Sequence, residues 1–114
     1  VGLTIGAVAE AITLCEKSGT NPAKMIAALT GGWADSKILQ THGQRMINKD
    51  FMPKGKTSTQ LKDMTNILDC AKEFSLHLPV STLVKKMYDN LVNNGHGDKD
   101  HSSLYVEIER INKK

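Results

Sequence analysis

Apolar residues recur at helical spacing through Leu3, Ala7, Val8, Ala11, Ile12, Leu14 and Cys15, and the pattern stops at Lys17-Ser18-Gly19. A glycine there takes the left-handed conformation that closes a helix, so a first helix is predicted to end at that point. The apolar stretch is already running at Val1, which is not a Met. The helix is therefore expected to be entered partway along, and the chain to be a piece of a longer protein. Asn21-Pro22 pairs a capping oxygen with a residue that has no N–H to satisfy. It predicts the start of a second helix, carried by Met25, Ile26 and Leu29 and stopped by Gly31-Gly32. Asp35 or Ser36 caps a third, whose buried face is Ile38, Leu39, Met46 and Ile47.

A loop from Lys49 to about Ser58, with Pro53 and Gly55, breaks the periodicity. Thr57 and Gln60 then stand at capping-box spacing, ahead of a stripe of Leu61, Met64, Leu68, Ala71 and Phe74 that predicts a fourth helix. Pro79 opens a fifth, with Leu83, Val84, Met87, Tyr88, Leu91 and Val92 as its apolar side and Gly95 as its stop. Asp100 or Ser102 caps a sixth, carrying Leu104, Val106, Ile108 and Ile111. No segment alternates with period two and no hairpin signal occurs, so the expectation is one all-α domain over residues 1–114, with about six helices and no internal repeat.

Composition changes this picture little. The 114 residues are 39% hydrophobic and 24% charged, which suits a globular domain, while aromatics at 4% leave the core to aliphatic residues and Met. A net charge of +3 without clustering argues against a nucleic-acid partner. No apolar run approaches the length of a membrane span and the start lacks the pattern of a signal peptide, so a cytoplasmic location is expected. Cys15 and Cys70 both fall inside helical apolar patterns and read as free, buried thiols.

Candidate chemistry is sparse. His42, His77, His96 and His101 lie in separate segments without a metal-binding helical pair, so no metal is expected. His96, Asp98, Asp100 and His101 share a loop whose simpler reading is a helix stop followed by a cap. Gly31-Gly32 either admits a ligand to the backbone or ends a helix, and no strand precedes it as in a dinucleotide-binding loop. The two cysteines sit where thiols pack rather than react. Lys62 opens helix four beside the irregular loop, where an ammonium can meet an anionic group or remain solvated.

Three strings near the start carry a resemblance: Ala9-Glu10-Ala11 with Leu14, Lys17, Gly19 and Asn21-Pro22; Leu29-Thr30-Gly31-Gly32; and Ala34-x-Ser36-x-x-Leu39. They are continued in order by Arg45-Met46, Asp50-Phe51-x-Pro53, Leu61-Lys62-Asp63, Ala71, Leu78-Pro79, Tyr88, Leu91 and Gly95-His96-Gly97-x-x-Asp100-x-Ser102. Their collinear order over most of the chain resembles the β-hydroxyacid dehydrogenases, the group of 3-hydroxyisobutyrate dehydrogenase, tartronate semialdehyde reductase and their 6-phosphogluconate dehydrogenase relatives.

The resemblance implies an all-α C-terminal domain that covers the active site and supplies much of a dimer interface. The Rossmann domain of such an enzyme is then expected in about 170 to 190 residues upstream. The family's catalytic Lys and its companion Asn precede the residues that match Val1 onward, so no catalytic residue is expected in this chain. The parent would use NAD or NADP to move hydride to or from a small hydroxy acid or semialdehyde, and the 114 residues alone would bind no cofactor and catalyse nothing. By motif position Lys62 corresponds to the family's cofactor-contacting lysine, with Asp63 and Phe51 near cofactor or substrate. One departure stands out: Gly55 occupies a position where many members carry an aromatic. The alternative is a free-standing helical interaction or dimerisation module without catalysis. Under either reading a homo-oligomer is expected, with Leu3, Val8 and Ile12 as its buried contacts.

Overall fold

Six α-helices follow one another in the computed structural model, which describes residues 1–113. They are α1 (Gly2–Lys17), α2 (Pro22–Leu29), α3 (Lys37–Asn48), α4 (Thr57–Glu73), α5 (Pro79–Leu91) and α6 (Leu104–Ile111). A π-helical turn, Val92–His96, extends α5, and a short 3-10 turn, His101–Ser103, leads into α6. No strand occurs among the described residues apart from one isolated antiparallel bridge between Lys56 and Asp100. The all-α expectation holds.

Local chemistry sets most boundaries as the pattern anticipates. Gly19 has φ +82 after the end of α1, and Asn21 accepts from the Ala23 N–H with Pro22 in the first turn of α2. Of the two candidates for the start of α3, Ser36 is the cap, accepting from the Leu39 N–H at 2.8 Å. Asp35 instead reaches back to the Gly31 N–H at 2.8 Å and holds the turn on which Trp33 stands fully exposed. Gly95, at φ +88, ends the extension of α5.

Helix α1 is the centre of the molecule, with α2, α3, α5 and α6 packed around it, while α4 pairs with α5. Its Ile5, Ala9 and Ile12 are completely buried, and they meet Leu39, Met46, Met64, Val84, Tyr88, Leu91, Leu104 and Ile108 in one continuous core. The expectation that Leu3, Val8 and Ile12 await a second copy is therefore corrected. Val8 and Ile12 are buried inside this chain, and Leu3 packs half-buried on the same core, because α3 and α6 already cover the helix.

Two further expectations fail for tertiary reasons. Thr57 and Gln60 form no capping box: Lys56 occupies the cap position without a side-chain bond, and both residues are drawn into contacts with the segment around Asp100. Cys15 is buried as expected, but Cys70 is exposed, on the side of α4 away from the core.

Candidate functional site

The loop between α3 and α4 has no periodicity of its own, and its shape comes from two other segments. Arg45, one turn before the end of α3, is nearly buried; its Nε donates to the Asp50 carbonyl at 3.1 Å and its guanidinium also donates to the Met52 carbonyl. From the other side, residues 97–101 run antiparallel to the loop. Asp100 N–H donates to the Phe51 carbonyl at 2.9 Å, and His101 N–H donates to the Gly55 carbonyl at 2.7 Å. Thr57 N–H donates to the Lys99 carbonyl at 2.8 Å, and Ser58 N–H to the Gly97 carbonyl at 3.0 Å. Two N–H groups in the first turn of α4, which a free helix would leave to water, are thus satisfied.

Asp100 is the centre of this arrangement, with no exposed surface. Its Oδ1 accepts from the N–H groups of Lys54 at 2.9 Å and Gly55 at 3.1 Å and lies 3.1 Å from the Arg45 guanidinium. Its Oδ2 accepts from the Ser102 N–H at 3.0 Å and from the Ser102 hydroxyl. Burial alone would push this carboxyl up. The Ser102 hydroxyl and the N–H groups of Lys54, Ser102 and Gly55 outweigh it and hold the group well below the usual carboxylate range. Asp100 therefore stays ionised, as a buried charge can only when it is paired and hydrogen-bonded. Behind it, the Thr57 hydroxyl donates to the carbonyl of Lys99 or Asp100, and the Tyr88 hydroxyl, on α5, donates to the His101 carbonyl at 3.0 Å.

Two imidazoles complete the cluster. The rings of His42 and His101 meet edge to face with centroids 4.7 Å apart. The His101 Nδ1 lies 3.3 Å from the Gln60 side-chain oxygen, whereas His42 Nδ1 is buried without a hydrogen bond, 3.8 Å from Asp100. Both pKa values are lowered. Burial is the main cause for each; the neighbouring His101 adds to it at His42, and Arg45 adds to it at His101, while Asp100 opposes the shift in both. His42, Asp100 and His101 bring three ligand-type atoms within 4.8 Å of one another. The donor set suits an ion poorly, because both Asp100 oxygens already accept from N–H or O–H donors and the Arg45 guanidinium occupies the position a cation would take.

The sequence candidates lie along this braced segment. Lys62 is exposed in the second turn of α4, with no ion-pair partner among the described residues. Because the Cα–Cβ bond in a helix tilts toward the N-terminus, its side chain leaves the helix on the side of Ser58 and Thr59. Lys54 and Lys56 are exposed on that loop, and Lys56 lies 3.5 Å from Asp98. The positive end of the α4 dipole thus carries added cations, an arrangement that favours an anionic or polar ligand. Asp63 is exposed beside Lys62. Phe51 turns inward, half-buried against the core with its ring stacked on Tyr105 at 6.5 Å. A Cβ at Gly55 would stand 3.1 to 3.4 Å from three atoms of the His101 ring, so this glycine lets the imidazole rest directly on the loop backbone.

In the sequence Asp100 reads as a cap, with a cation ligand as the weaker alternative, and it does cap the 3-10 turn; Arg45, Thr57 and Gln60 do not stand out as site components. The available signal is Gly95-His96-Gly97-x-x-Asp100-x-Ser102, whose polar residues have no helical stripe to serve.

The family model that matches residues 1–108 is described as NAD-binding of NADP-dependent 3-hydroxyisobutyrate dehydrogenase. The chain is 38% identical over 109 residues to a 2-hydroxy-3-oxopropionate reductase of Escherichia coli, covering 96% of this chain and 37% of that protein. It is 30% identical over 112 residues to a probable 3-hydroxyisobutyrate dehydrogenase-like protein of Arabidopsis thaliana, covering 98% and 36% respectively. Among solved structures, a 3-hydroxyisobutyrate dehydrogenase from Salmonella typhimurium superposes with a TM-score of 0.87 at 26% identity, over 92% of this chain and 37% of that one. The chain thus spans little more than a third of the length of the relatives it matches.

Proposed function

The chain belongs to the NADP-dependent 3-hydroxyisobutyrate dehydrogenase family, and from that membership we propose that it is the helical C-terminal domain of an NAD(P)-dependent hydroxyacid dehydrogenase. The parent enzyme would move hydride between the nicotinamide and a small 2- or 3-hydroxy acid or semialdehyde. The names of its relatives, a 2-hydroxy-3-oxopropionate reductase and an L-threonate dehydrogenase among them, support that substrate class. The observation that carries the reading is the start of α4. An exposed Lys62, without an ion-pair partner among the described residues, stands in the second turn of a helix whose positive end is held in place by a buried carboxylate. This chemistry suits one polar or anionic end of a dinucleotide.

Among the described residues there is no strand-turn-helix unit of the kind that cradles a pyrophosphate. The domain's part is therefore to close over a cofactor held elsewhere, with Lys62 as its contact and Asp63 beside it. NAD or NADP chemistry would enter with that cofactor; the residues here bind, orient and exclude water. By itself the 114-residue chain is inert. The test is direct: the purified chain should neither quench nor shift NADH and NADPH fluorescence and should turn over no member of a panel of small hydroxyacids. Turnover above background would overturn the reading.

Assembly is part of the same proposal, with its surface moved. Phe74, Leu76, Val80 and Leu83 gather at the turn from α4 into α5 and are more than half exposed. That apolar turn, rather than α1, is where a second copy would be seated. No helix among the described residues is long and apolar enough to cross a membrane, and the location we infer is cytoplasmic.

A further inference from the structure

We propose that Asp100 is a positioning residue for the Lys62 contact: its buried carboxylate, by holding the Lys54–Gly55 backbone, Arg45 and Ser102 together, sets where α4 begins and therefore where Lys62 stands. The inference rests on the proposed role of Lys62.

The start of α4 is held from residues 97–103 rather than by a local cap. Lys56, its cap residue, offers no side-chain bond, so the usual local device for anchoring a helix start is missing. In its place are two backbone bonds from Thr57 and Ser58 to Lys99 and Gly97 and the Thr57 hydroxyl on the Lys99 or Asp100 carbonyl, and these align only if residues 97–101 lie flat against the loop. Asp100 is the residue that clamps the two segments together: its own N–H donates to Phe51 while its carboxylate accepts from Lys54 and Gly55, so one residue grips the loop at both ends. Arg45 ties the same carboxylate to α3, and Ser102 ties it to the entry of α6. Two segments that are distant in sequence, residues 45–55 and 100–102, thus meet on one side chain, next to the helix turn that carries Lys62. A shift of the clamp is transmitted to Lys62 because the intervening turn is rigid helix.

Asp100→Asn makes the clamp defective at one point. Whichever way the amide is turned, its NH2 faces either the Lys54 and Gly55 N–H groups or the Ser102 N–H, and one set loses its acceptor. In the 114-residue chain, hydrogen exchange of the Lys54, Gly55, Thr57 and Ser58 amides should accelerate in this variant, with α2 amides unchanged. Unaltered protection at those four amides would overturn the clamp.

In the two-domain enzyme the readout is a double-mutant cycle on cofactor affinity with Lys62→Ala. Asp100→Asn should weaken cofactor binding by about fivefold or more when Lys62 is present, and by less than about twofold when it is Ala, since a positioning residue has nothing left to position. Equal losses in both backgrounds would mean a merely structural role and would overturn the proposal while leaving the Lys62 contact standing. A Lys62→Ala enzyme with unchanged affinity would instead overturn the contact itself. Should Asp100→Asn fail to fold, Ser102→Ala takes its place in the cycle, since it keeps the charge and removes one side-chain donor. A loss that depends on Lys62 again supports the positioning role, and a loss independent of Lys62 overturns it.

Discussion

A lysine that no carboxylate neutralises is common on a protein surface, so Lys62 needs a partner in the same helix against which to be judged. Lys72 serves, since it is also exposed on α4 but lies in its last turn, away from the braced loop. If Lys62 makes a charge-assisted hydrogen bond to the cofactor, Lys62→Ala in the full enzyme should cost about 1.5 to 3 kcal/mol, roughly ten- to more than a hundredfold in cofactor affinity or kcat/KM. Lys72→Ala should change either constant by less than about twofold. Steady-state kinetics of the two variants decide it: equal, small effects would make Lys62 an ordinary surface residue. Its motif position is legible in the sequence. The larger role of the buried carboxylate behind it is not, because an aspartate two residues before Ser102 reads as the cap it is, and only the fold brings Arg45 and the Lys54–Gly55 backbone to it.

At the scale of elements, the helices depend on how closely α1 can approach its neighbours. Gly6 is a buried glycine in the interior of α1, and a Cβ there would meet Leu104 and Val84 at 3.7 Å, which is ordinary contact. The residue lacks a positive φ, so nothing in its backbone requires glycine. Gly6→Ala should accordingly stabilise the chain, by about 0.5 to 1 kcal/mol from helix entropy, with a further small gain from the methyl it buries. Urea denaturation of the variant checks this: a midpoint shifted to lower urea would show that the α1–α5–α6 crossing is tighter than its geometry implies. Helix starts and stops are legible because caps and glycines act within a few residues. The start of α4 reads wrongly as a capping box for the converse reason: Thr57 and Gln60 take partners 41 to 46 residues away.

For the whole molecule, the His42–His101–Asp100 cluster predicts how stability varies with pH. The folded pKa values of both imidazoles are lowered, so each is favoured in its neutral form. Their contribution is fully present above the unfolded value of about 6.5 and is lost as pH falls below it. Asp100 is shifted the same way but is a carboxylate. Its contribution is present above about pH 4 and is lost below that, toward its depressed folded pKa. Thermal melts should therefore show a first decline below about pH 6.5 and a second below about pH 4. His42→Asn with an unchanged first decline would assign that decline to other groups. The assembly prediction belongs to this scale too: sedimentation at high micromolar concentration should show self-association, reduced by Leu83→Ser and untouched by changes on α1. A strict monomer, or a dimer indifferent to Leu83→Ser, would remove the α4–α5 turn from the interface.

By itself, the sequence determined the all-α class, the order of the helices, the end of α1, the start of α2 and the family, because periodicity, caps and collinear motifs are carried by residues close together in the chain. Only the tertiary structure decided that Val8 and Ile12 of α1 are buried within this chain, that Phe51 packs on Tyr105, that Cys70 is exposed, and that Asp100, Arg45 and Ser102 hold the loop before Lys62. Each of those outcomes depends on which surface covers another. A helical stripe shows that a face is apolar without saying what covers it, and a buried charge is tolerable only where distant donors converge on it.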